Sequence, residues 1–238
     1  MKLHIGPRAP NPRRVQMFIA EKLAPKTPAA SPPIGHEGAG SGPWGEVGLG
    51  RPGADLAAIE IVAVDLNASE HRSAAFRAKS PLAKVPVLEL DDGRMLGESR
   101  AICTYLEGLV PEPNLMGRDF DERAFIEMAD RRVELYLMFG FAMAIRHTHP
   151  GLAPLEQPQF PEFGRSQGEK VRAVARWFDE ELSRHPFIAG ERFTIADITA
   201  FCAVEFARGL LKFRPADEGM PHLQAWRDRI AERPSAKA

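Results

Sequence analysis

The sequence predicts an α/β N-terminal domain followed by an all-α C-terminal domain. Up to about residue 110, short strand-like runs are interspersed with helical patterns, whereas after Pro113 every periodic segment is helical. The 238 residues, of which 44% are hydrophobic, suffice for one large or two small domains. We therefore expect a first domain over 1–110 and a second over 118–238, which meet near 111–118.

The first elements are short and lie close together. A strand is predicted over 2–6, and a loop that contains three prolines follows over 7–12. The next segment, 13–23, is predicted to be a helix because its apolar residues recur at helical spacing. These residues are Val15, Phe18, Ile19 and Leu23.

Between residues 24 and 55 the composition changes sharply, with 14 Gly or Pro among 32 residues. Such a stretch cannot form a regular element and buries too little apolar surface to order itself. A long loop adds little closure entropy, so a fold can carry one. We predict a flexible Gly/Pro-rich insertion in a surface loop; a functional lid is the alternative.

The strand pattern resumes after this insertion. We predict a strand over 59–66, a short helix or turn over 73–79, a strand over 85–90, a hairpin turn at 91–93, a return strand over 94–96 and a helix over 99–107. The resulting order is β-α-β followed by α-β-β-α. This is the order of a thioredoxin-like domain, in which helices cover both faces of a mixed sheet.

The second domain is predicted to contain four helices. They cover 120 to about 146, 166–182, 194–211 and 221–232, with an irregular linker over 150–163. The first helix is amphipathic, with apolar Phe125, Met128, Val133, Leu137 and Ala144. Thr194 and Asp197, three residues apart, form the pattern of a capping box at the start of the third helix.

Composition and charge exclude several classes of partner. A formal net charge of −1 offers no field for nucleic acid. There is no run of about 18 apolar residues, so neither a spanning helix nor a membrane partner is predicted. The N-terminus goes directly into a strand pattern without a signal-peptide apolar region. Cys103 and Cys202 show no metal-ligand spacing, and we expect buried free thiols, a reducing cytoplasmic compartment and no metal.

The most informative feature is a pair of short motifs. Val85-Pro86 begins an extended run, and Glu98-Ser99 begins a helix. A carboxylate at a helix start can bind an ammonium group, while the hydroxyl and free backbone N–H groups bind a carboxylate. This arrangement fits the γ-glutamyl end of glutathione.

Several runs match one protein family in both order and spacing. They are Asn11 to Val15, Glu70 to Ser73, Ser80 to Leu82 with Lys84 to Leu88, Glu98 to Ile102, and Phe187 to Gly190 with Phe193 to Asp197. The chain thereby resembles the cytosolic glutathione transferases, in particular the bacterial branch near the theta, zeta and nu classes. The resemblance covers both domains except the 24–55 stretch.

This resemblance implies roles for individual residues. Pro86 is expected to be cis, and the Val85 backbone to pair with the cysteinyl unit of glutathione. Glu98 and Ser99 are expected to anchor the γ-glutamyl group, and His71 and Lys84 to contact the glycyl carboxylate. Relatives form homodimers through the helix that begins near Phe120 and the partner's sheet domain.

The family also implies a donor that holds the glutathione sulfur as thiolate, the reactive form. Many relatives carry Tyr, Ser or Cys near the start of the first helix, but residues 6–13 contain none of them and no Thr. Asn11 matches an Asn of nu-like relatives, and its amide can donate a hydrogen bond; the alternative for Asn11 is a helix cap. Ala9 stands where those relatives carry Thr. Arg8 or Arg13 could add positive charge.

The second substrate is predicted to be a small hydrophobic electrophile in a cleft between the domains. Apolar residues that could line it are Phe139, Phe141, Met143, Phe206 and Phe213, with core packing as the alternative. The leading hypothesis is a glutathione S-transferase. One alternative is a glutathione-dependent disulfide or peroxide reductase, and another is a non-catalytic glutathione-binding or scaffold protein of the same fold.

Overall fold

The computed structural model describes residues 1–7, 9–24 and 54–238. Arg8 lies outside the described residues, as does the predicted insertion apart from Ala24, Ala54 and Asp55. No helix among the described residues is long and apolar enough to cross a membrane.

The sheet of the described residues has four strands in the order β2-β1-β3-β4. These are β1 (Lys2–Ile5), β2 (Glu60–Ala63), β3 (Val87–Glu89) and β4 (Met95–Leu96). β1 pairs parallel with β2 and antiparallel with β3, and β3 pairs antiparallel with β4. This is the mixed sheet that the sequence predicts.

Helices α1 (Pro10–Leu23), α2 (Ala74–Arg77) and α3 (Ser99–Leu109) accompany this sheet. Alternate strand residues point to opposite faces, and the apolar residues accordingly divide into two clusters. Leu3 and Leu88 belong to the main core, while Val87 packs in a smaller cluster with Val64 and Phe76. Apolar residues are therefore buried on both faces of the sheet.

The helical part begins with a continuous run over 120–148. It comprises α4 (Phe120–Arg132), a π-helical stretch (Val133–Met138) and α5 (Phe139–Thr148). The other long helices are α6 (Pro161–Leu182), α7 (Ile195–Leu210) and α8 (Pro221–Ala231). The predicted fold class, a thioredoxin-like α/β part with an all-α part, is confirmed.

Two helices begin earlier than predicted. α1 starts at Pro10 instead of Arg13, and α6 at Pro161 instead of Ser166. Proline is tolerated in the first helical turn because an N–H group there has no intrahelical partner. α3 also continues through Gly108 to Leu109, where a stop at 107 was expected.

The apolar residues of the 120–148 run do not share one environment. Val133, Leu137 and Ala144 are buried in the core, whereas Phe125 and Met128 are exposed to solvent. Periodicity identifies an apolar face but not what covers it. The amphipathic pattern therefore does not by itself decide that Phe125 and Met128 lie outside the core of the isolated chain.

Contacts of α1 join the sheet to the helical part. The helix contacts both α3 and α7, and the Cys202 thiol lies 3.8 Å from Met17 Sδ. Both cysteines are buried free thiols, as predicted. At the other end, the buried Glu21 accepts hydrogen bonds from Arg233 at 2.8 and 2.7 Å, which fixes the C-terminal turn against α1.

Candidate active site

Strand register brings three separate segments to one edge of the sheet. β1 pairs His4 with Val87, and continuing that antiparallel register places Gly6 opposite Val85. β3 pairs Leu88 with Leu96, the last residue of β4, so the segment that leads from β4 to the tip of α3 leaves the sheet at the same end. The first loop, the Val85-Pro86 bond and the tip of α3 therefore converge.

At the tip of α3, Glu98 is the N-cap residue and Ser99 the first helical residue. Glu98 has a φ of 58°, uncommon for a residue other than glycine, and its side chain is exposed. Ser99 is only 5% exposed. The first bond of the helix runs from Ile102 N–H to Glu98 carbonyl, so the N–H groups before Ile102 lie at an anion-attracting terminus.

The peptide bond between Val85 and Pro86 is cis, as the resemblance implied. Pro86 is buried, and β3 begins only at Val87, so the Val85 main chain lies outside the ladder. The loop before it is fixed by Ser80, whose hydroxyl donates to Lys84 carbonyl at 2.9 Å and accepts from Lys84 N–H at 3.0 Å. Val85 is thereby positioned with main-chain groups available for a ligand.

His71 and Lys84 are electrostatic neighbours. His71 is buried in the turn Glu70–Arg72, and its Nδ1 has no partner among the described residues. Burial lowers the pKa of His71, and the positive charges of Arg72, Lys84 and Arg77 lower it further. At neutral pH His71 is thus an uncharged imidazole beside an exposed ammonium group.

The first loop approaches Val85 closely because Gly6 has no side chain. A Cβ at Gly6 would lie 2.5 Å from Leu66 Cδ1 and 3.2 Å from Val85 Cγ2. The loop then turns with Ala9 N–H donating to Gly6 carbonyl at 3.2 Å. Gly6, where this loop begins, therefore lies directly beside Val85.

Asn11 is exposed in the first turn of α1, and this turn contains no acidic residue. The N-cap residue is Ala9, so the alternative role of Asn11 as a cap is excluded. Arg13 is directed elsewhere: its guanidinium bonds Ala236 carbonyl at 2.9 Å and lies over the Phe201 ring. Arg13 is therefore engaged away from the loop, and Arg8 lies outside the described residues.

The aromatic residues predicted for the second-substrate cleft divide into two groups. Phe139 is 57% exposed, and Phe206 is half-buried against the core. Phe141 and Phe213 are fully buried and pack against each other with tilted rings, whose centroids are 4.9 Å apart. A lining role is wrong for this second pair, because a side chain sealed in the core cannot contact a ligand.

Two open depressions lie elsewhere among the described residues. One, of about 720 Å³, runs along residues 159–165, and the other, of about 260 Å³, lies between the π-helical stretch and α6. Neither is lined by a residue predicted to bind glutathione. No group of three or more His, Cys, Asp or Glu in the described part of the chain is arranged to hold a metal ion.

Arg14 was not predicted from the sequence to be part of the site. Its guanidinium is fully buried beneath the tip of α3 and donates to Ser99 Oγ at 3.2 Å. The available signal was a charged residue on the apolar face of the first helix, four positions before Phe18, where burial without a partner would be costly.

Comparisons with known proteins agree with this architecture. A glutathione S-transferase N-terminal domain model matches residues 53–114, and a C-terminal domain model of the same family matches residues 144–234. Glutathione S-transferase 2 of Saccharomyces cerevisiae is 36% identical over 183 residues, which cover 76% of this chain and 78% of the yeast protein.

Two solved structures are similar over nearly the whole length. A glutathione S-transferase domain-containing protein from Marinobacter aquaeolei is 36% identical, with a TM-score of 0.81 and 99% of each chain covered. The crystal structure of Gtt2 from Saccharomyces cerevisiae is 31% identical, with a TM-score of 0.81 and coverage of 100% of this chain and 99% of the yeast chain. The chain belongs to the glutathione S-transferase family, which confirms the predicted family and enzyme class.

Proposed function

We propose that this transferase binds glutathione along the sheet edge where Gly6, Val85 and Ser99 converge. The observation that carries the proposal is the strand pairing, since it brings the end of β1, the start of β3 and the end of β4 to one end of the sheet, beside an acid, a hydroxyl, main-chain groups and a helix terminus. Binding sites commonly combine a few convergent polar groups in this way.

The γ-glutamyl end would occupy the tip of α3. The exposed carboxylate of Glu98 would take its ammonium group, while Ser99 and the adjacent N–H groups would take its carboxylate. The cysteinyl unit would pair with the Val85 main chain as a short added strand.

The glycyl carboxylate would lie beside Lys84 and His71. Lys84 supplies positive charge, and the uncharged imidazole of His71 supplies a hydrogen bond. The unpartnered Nδ1 of His71 is consistent with a group that is completed by ligand.

The thiol would be activated by Asn11. Its exposed amide stands in the first turn of α1, and the positive end of the helix dipole favours a thiolate there because no acid opposes it. The thiolate would then attack an electrophilic carbon, form a C–S bond, and either displace a leaving group with its electron pair or add to a double bond that afterwards takes a proton. Orientation and a lowered thiol pKa are the contributions of the protein.

The second substrate is proposed to be a small hydrophobic electrophile beside Phe139 and Phe206. The exposure of Phe139 supports a contact, since a large exposed aromatic surface is a common feature of ligand clefts.

Assembly and compartment are part of the same proposal. The exposed apolar residues Phe120, Phe125 and Met128 at the start of α4 support a homodimer, because such patches mark interaction sites. Free buried cysteines support a cytoplasmic location, where thiols stay reduced. We also propose that the chain divides into units over 1–110 and 118–238. Sedimentation at micromolar concentration tests the dimer.

The decisive experiment is ultraviolet difference absorbance of glutathione bound to the enzyme near neutral pH. A thiolate band is expected for the natural chain and a weaker band for Asn11→Ala. Binding without a thiolate band would contradict the catalytic proposal.

Parallel assays with a chloronitroaromatic compound and a mixed disulfide separate transfer from reduction. Activity with the chloronitroaromatic is expected, because the similar proteins are named as transferases. The names of these similar proteins favour neither the glutathione-dependent reductase nor the non-catalytic scaffold. Turnover of the disulfide alone would reverse that choice.

A further inference from the structure

Arg14 joins three parts of the fold at one buried guanidinium. Its Nη1 donates to Ser99 Oγ at 3.2 Å and to Glu134 Oε1 at 2.9 Å, and its Nη2 lies 3.4 Å from Met138 Sδ. The side chain is fully buried, and its Nε has no partner among the described residues. α1, the tip of α3 and the π-helical stretch therefore share this one group.

The π-helical stretch supplies both partners from the helical side. Glu134 and Met138 are four positions apart, within Val133–Met138, and both contact Arg14. π-helical turns occur frequently at functional sites. Glu134 is also ion-paired with Arg131, so its carboxylate is oriented from two sides.

Arg14 keeps its positive charge although it is buried. Burial alone would lower the pKa of Arg14, but the carboxylates of Asp130 and Glu134 outweigh it and raise the pKa above the ordinary value. A guanidinium has N–H donors and no acceptor. In its bond with Ser99, Arg14 must therefore be the donor.

The direction of this bond determines which hydrogen bonds the Ser99 hydroxyl can still form. A hydroxyl has two acceptor lone pairs and one proton. Arg14 takes a lone pair and cannot take the proton, and no other described residue accepts it. The Ser99 proton is free to be donated at the tip of α3, at the end of the sheet where β3 begins.

We propose that Arg14 is a positioning residue that holds the Ser99 hydroxyl with its proton directed at the γ-glutamyl carboxylate of glutathione. The inference rests on the proposed role of Ser99 as a ligand contact. Arg14 acts through Ser99 and touches no reacting atom.

A double-mutant cycle tests this coupling, with Arg14→Lys, Ser99→Ala and the double variant. Lysine keeps the positive charge but loses the planar fork that reaches two acceptors. Glutathione affinity is measured by calorimetry, and kcat and KM with a chloronitroaromatic compound. Ser99→Ala and Arg14→Lys are each expected to weaken affinity about tenfold, the effect of one hydrogen bond to a charged group. The KM for glutathione should rise with the loss of affinity.

The coupling is the decisive quantity. If Arg14 acts through Ser99, Arg14→Lys should change affinity by less than about twofold in the Ser99→Ala background. Arg13→Lys is the matched control, because the guanidinium of Arg13 bonds the carbonyl of Ala236 and not Ser99. Arg13→Lys should leave glutathione affinity unchanged. An equal loss from Arg14→Lys in both backgrounds would overturn the inference.

Failure of the site assignment would look different. If Ser99→Ala alone leaves glutathione affinity unchanged, the proposed glutathione site itself is wrong. If Arg14→Lys does not fold, Glu134→Gln replaces it in the cycle, because it removes the ionic partner that holds Arg14. Glu134→Gln should then weaken glutathione affinity in the natural chain but not in the Ser99→Ala background. Equal effects of Glu134→Gln in the two backgrounds would again overturn the inference.

Discussion

The carboxylate of Asp197, in the first turn of α7, accepts a hydrogen bond of 2.9 Å from the indole Nε1 of Trp226 in α8. It also accepts the N–H of Ile188 at 2.9 Å and that of Thr194 at 3.0 Å. Thr194 and Asp197 form the capping box that the sequence predicts. This one buried side chain joins the start of α7 to the preceding turn and to α8.

Replacing Asp197 by alanine should strongly destabilise the fold. The change removes the cap and leaves the half-buried N–H of Ile188 and the buried indole N–H of Trp226 without acceptors, so the free energy of unfolding should fall by about 2–4 kcal/mol. Denaturant titration followed by fluorescence measures this. Asp121→Ala removes an exposed acid from the first turn of α4 and should cost less than about 1 kcal/mol. Equal losses in both variants would contradict the role of Asp197.

The same carboxylate gives a pH dependence of stability. Burial raises the pKa of Asp197 from 3.8 to about 6, against the hydrogen bonds from Ile188 and Trp226 that lower it. Between pH 3.8 and about 6 the folded chain therefore retains this proton, whereas the unfolded chain has lost it. The stability that the protonated carboxyl contributes is complete below pH 3.8 and is lost as the pH rises through about 6. Relative to Asp197→Asn, the natural chain should lose stability on the order of 2–3 kcal/mol across this window. A constant difference would show that Asp197 does not titrate there.

Gly6 should be intolerant of a side chain. In Gly6→Ala the new Cβ would press on Leu66 and Val85, which should lower the free energy of unfolding by about 1–3 kcal/mol and raise the KM for glutathione. Gly108→Ala is the control, because nothing lies within 4 Å of a Cβ there. That helical position should gain slightly in stability. If Gly6→Ala left the KM for glutathione unchanged, Val85 would not be part of the glutathione site.

Asn11 should affect the thiol more than it affects binding. If its amide donates to the sulfur, Asn11→Ala should raise the pKa of bound glutathione thiol by roughly one unit, with affinity changed less than about twofold. The pH profile of kcat/KM and the thiolate absorbance both report this pKa. Gln16→Ala removes an amide further along α1 and should leave the pH profile of kcat/KM unchanged. A profile unmoved by Asn11→Ala would assign thiol activation to another group.

His71 should make glutathione binding stronger in mild acid. Burial and the neighbouring Arg72, Lys84 and Arg77 lower the pKa of His71 below its ordinary value of 6.5. A bound carboxylate favours the protonated form, so the affinity of the natural chain should rise relative to His71→Gln as the pH falls below 6.5. Calorimetric titrations across this range measure the ratio of affinities. A ratio independent of pH would place the glycyl carboxylate away from His71.

Much of the fold was predictable from local pattern. The strand near residues 2–6, the hairpin at 91–93 and the Thr194–Asp197 cap follow from alternation, turn residues and side-chain reach, which act over a few residues. The boundaries at Pro10 and Pro161 were missed because a proline both ends a loop and begins a helix.

The candidate site was predictable only in part. Glu98-Ser99 and Val85-Pro86 could be recognised because each motif is local, and their chemistry points to a zwitterionic ligand. Arg14 could not be assigned in the same way, because its partners Ser99 and Glu134 are distant in the sequence. Nor could Phe139 be separated from Phe141 until packing exposed one ring and buried the other.

The sequence by itself determined the order of elements, the family resemblance and the motifs at the ends of strands and helices. Tertiary structure decided which of those motifs meet: the segments that carry Gly6, Val85 and Ser99 lie at one end of the sheet only because β1 and β4 both pair antiparallel with β3. It also decided that Arg14 is buried against Ser99. The reason is physical, since hydrogen-bond register and burial arise from contacts between distant segments, whereas sequence patterns record local preference.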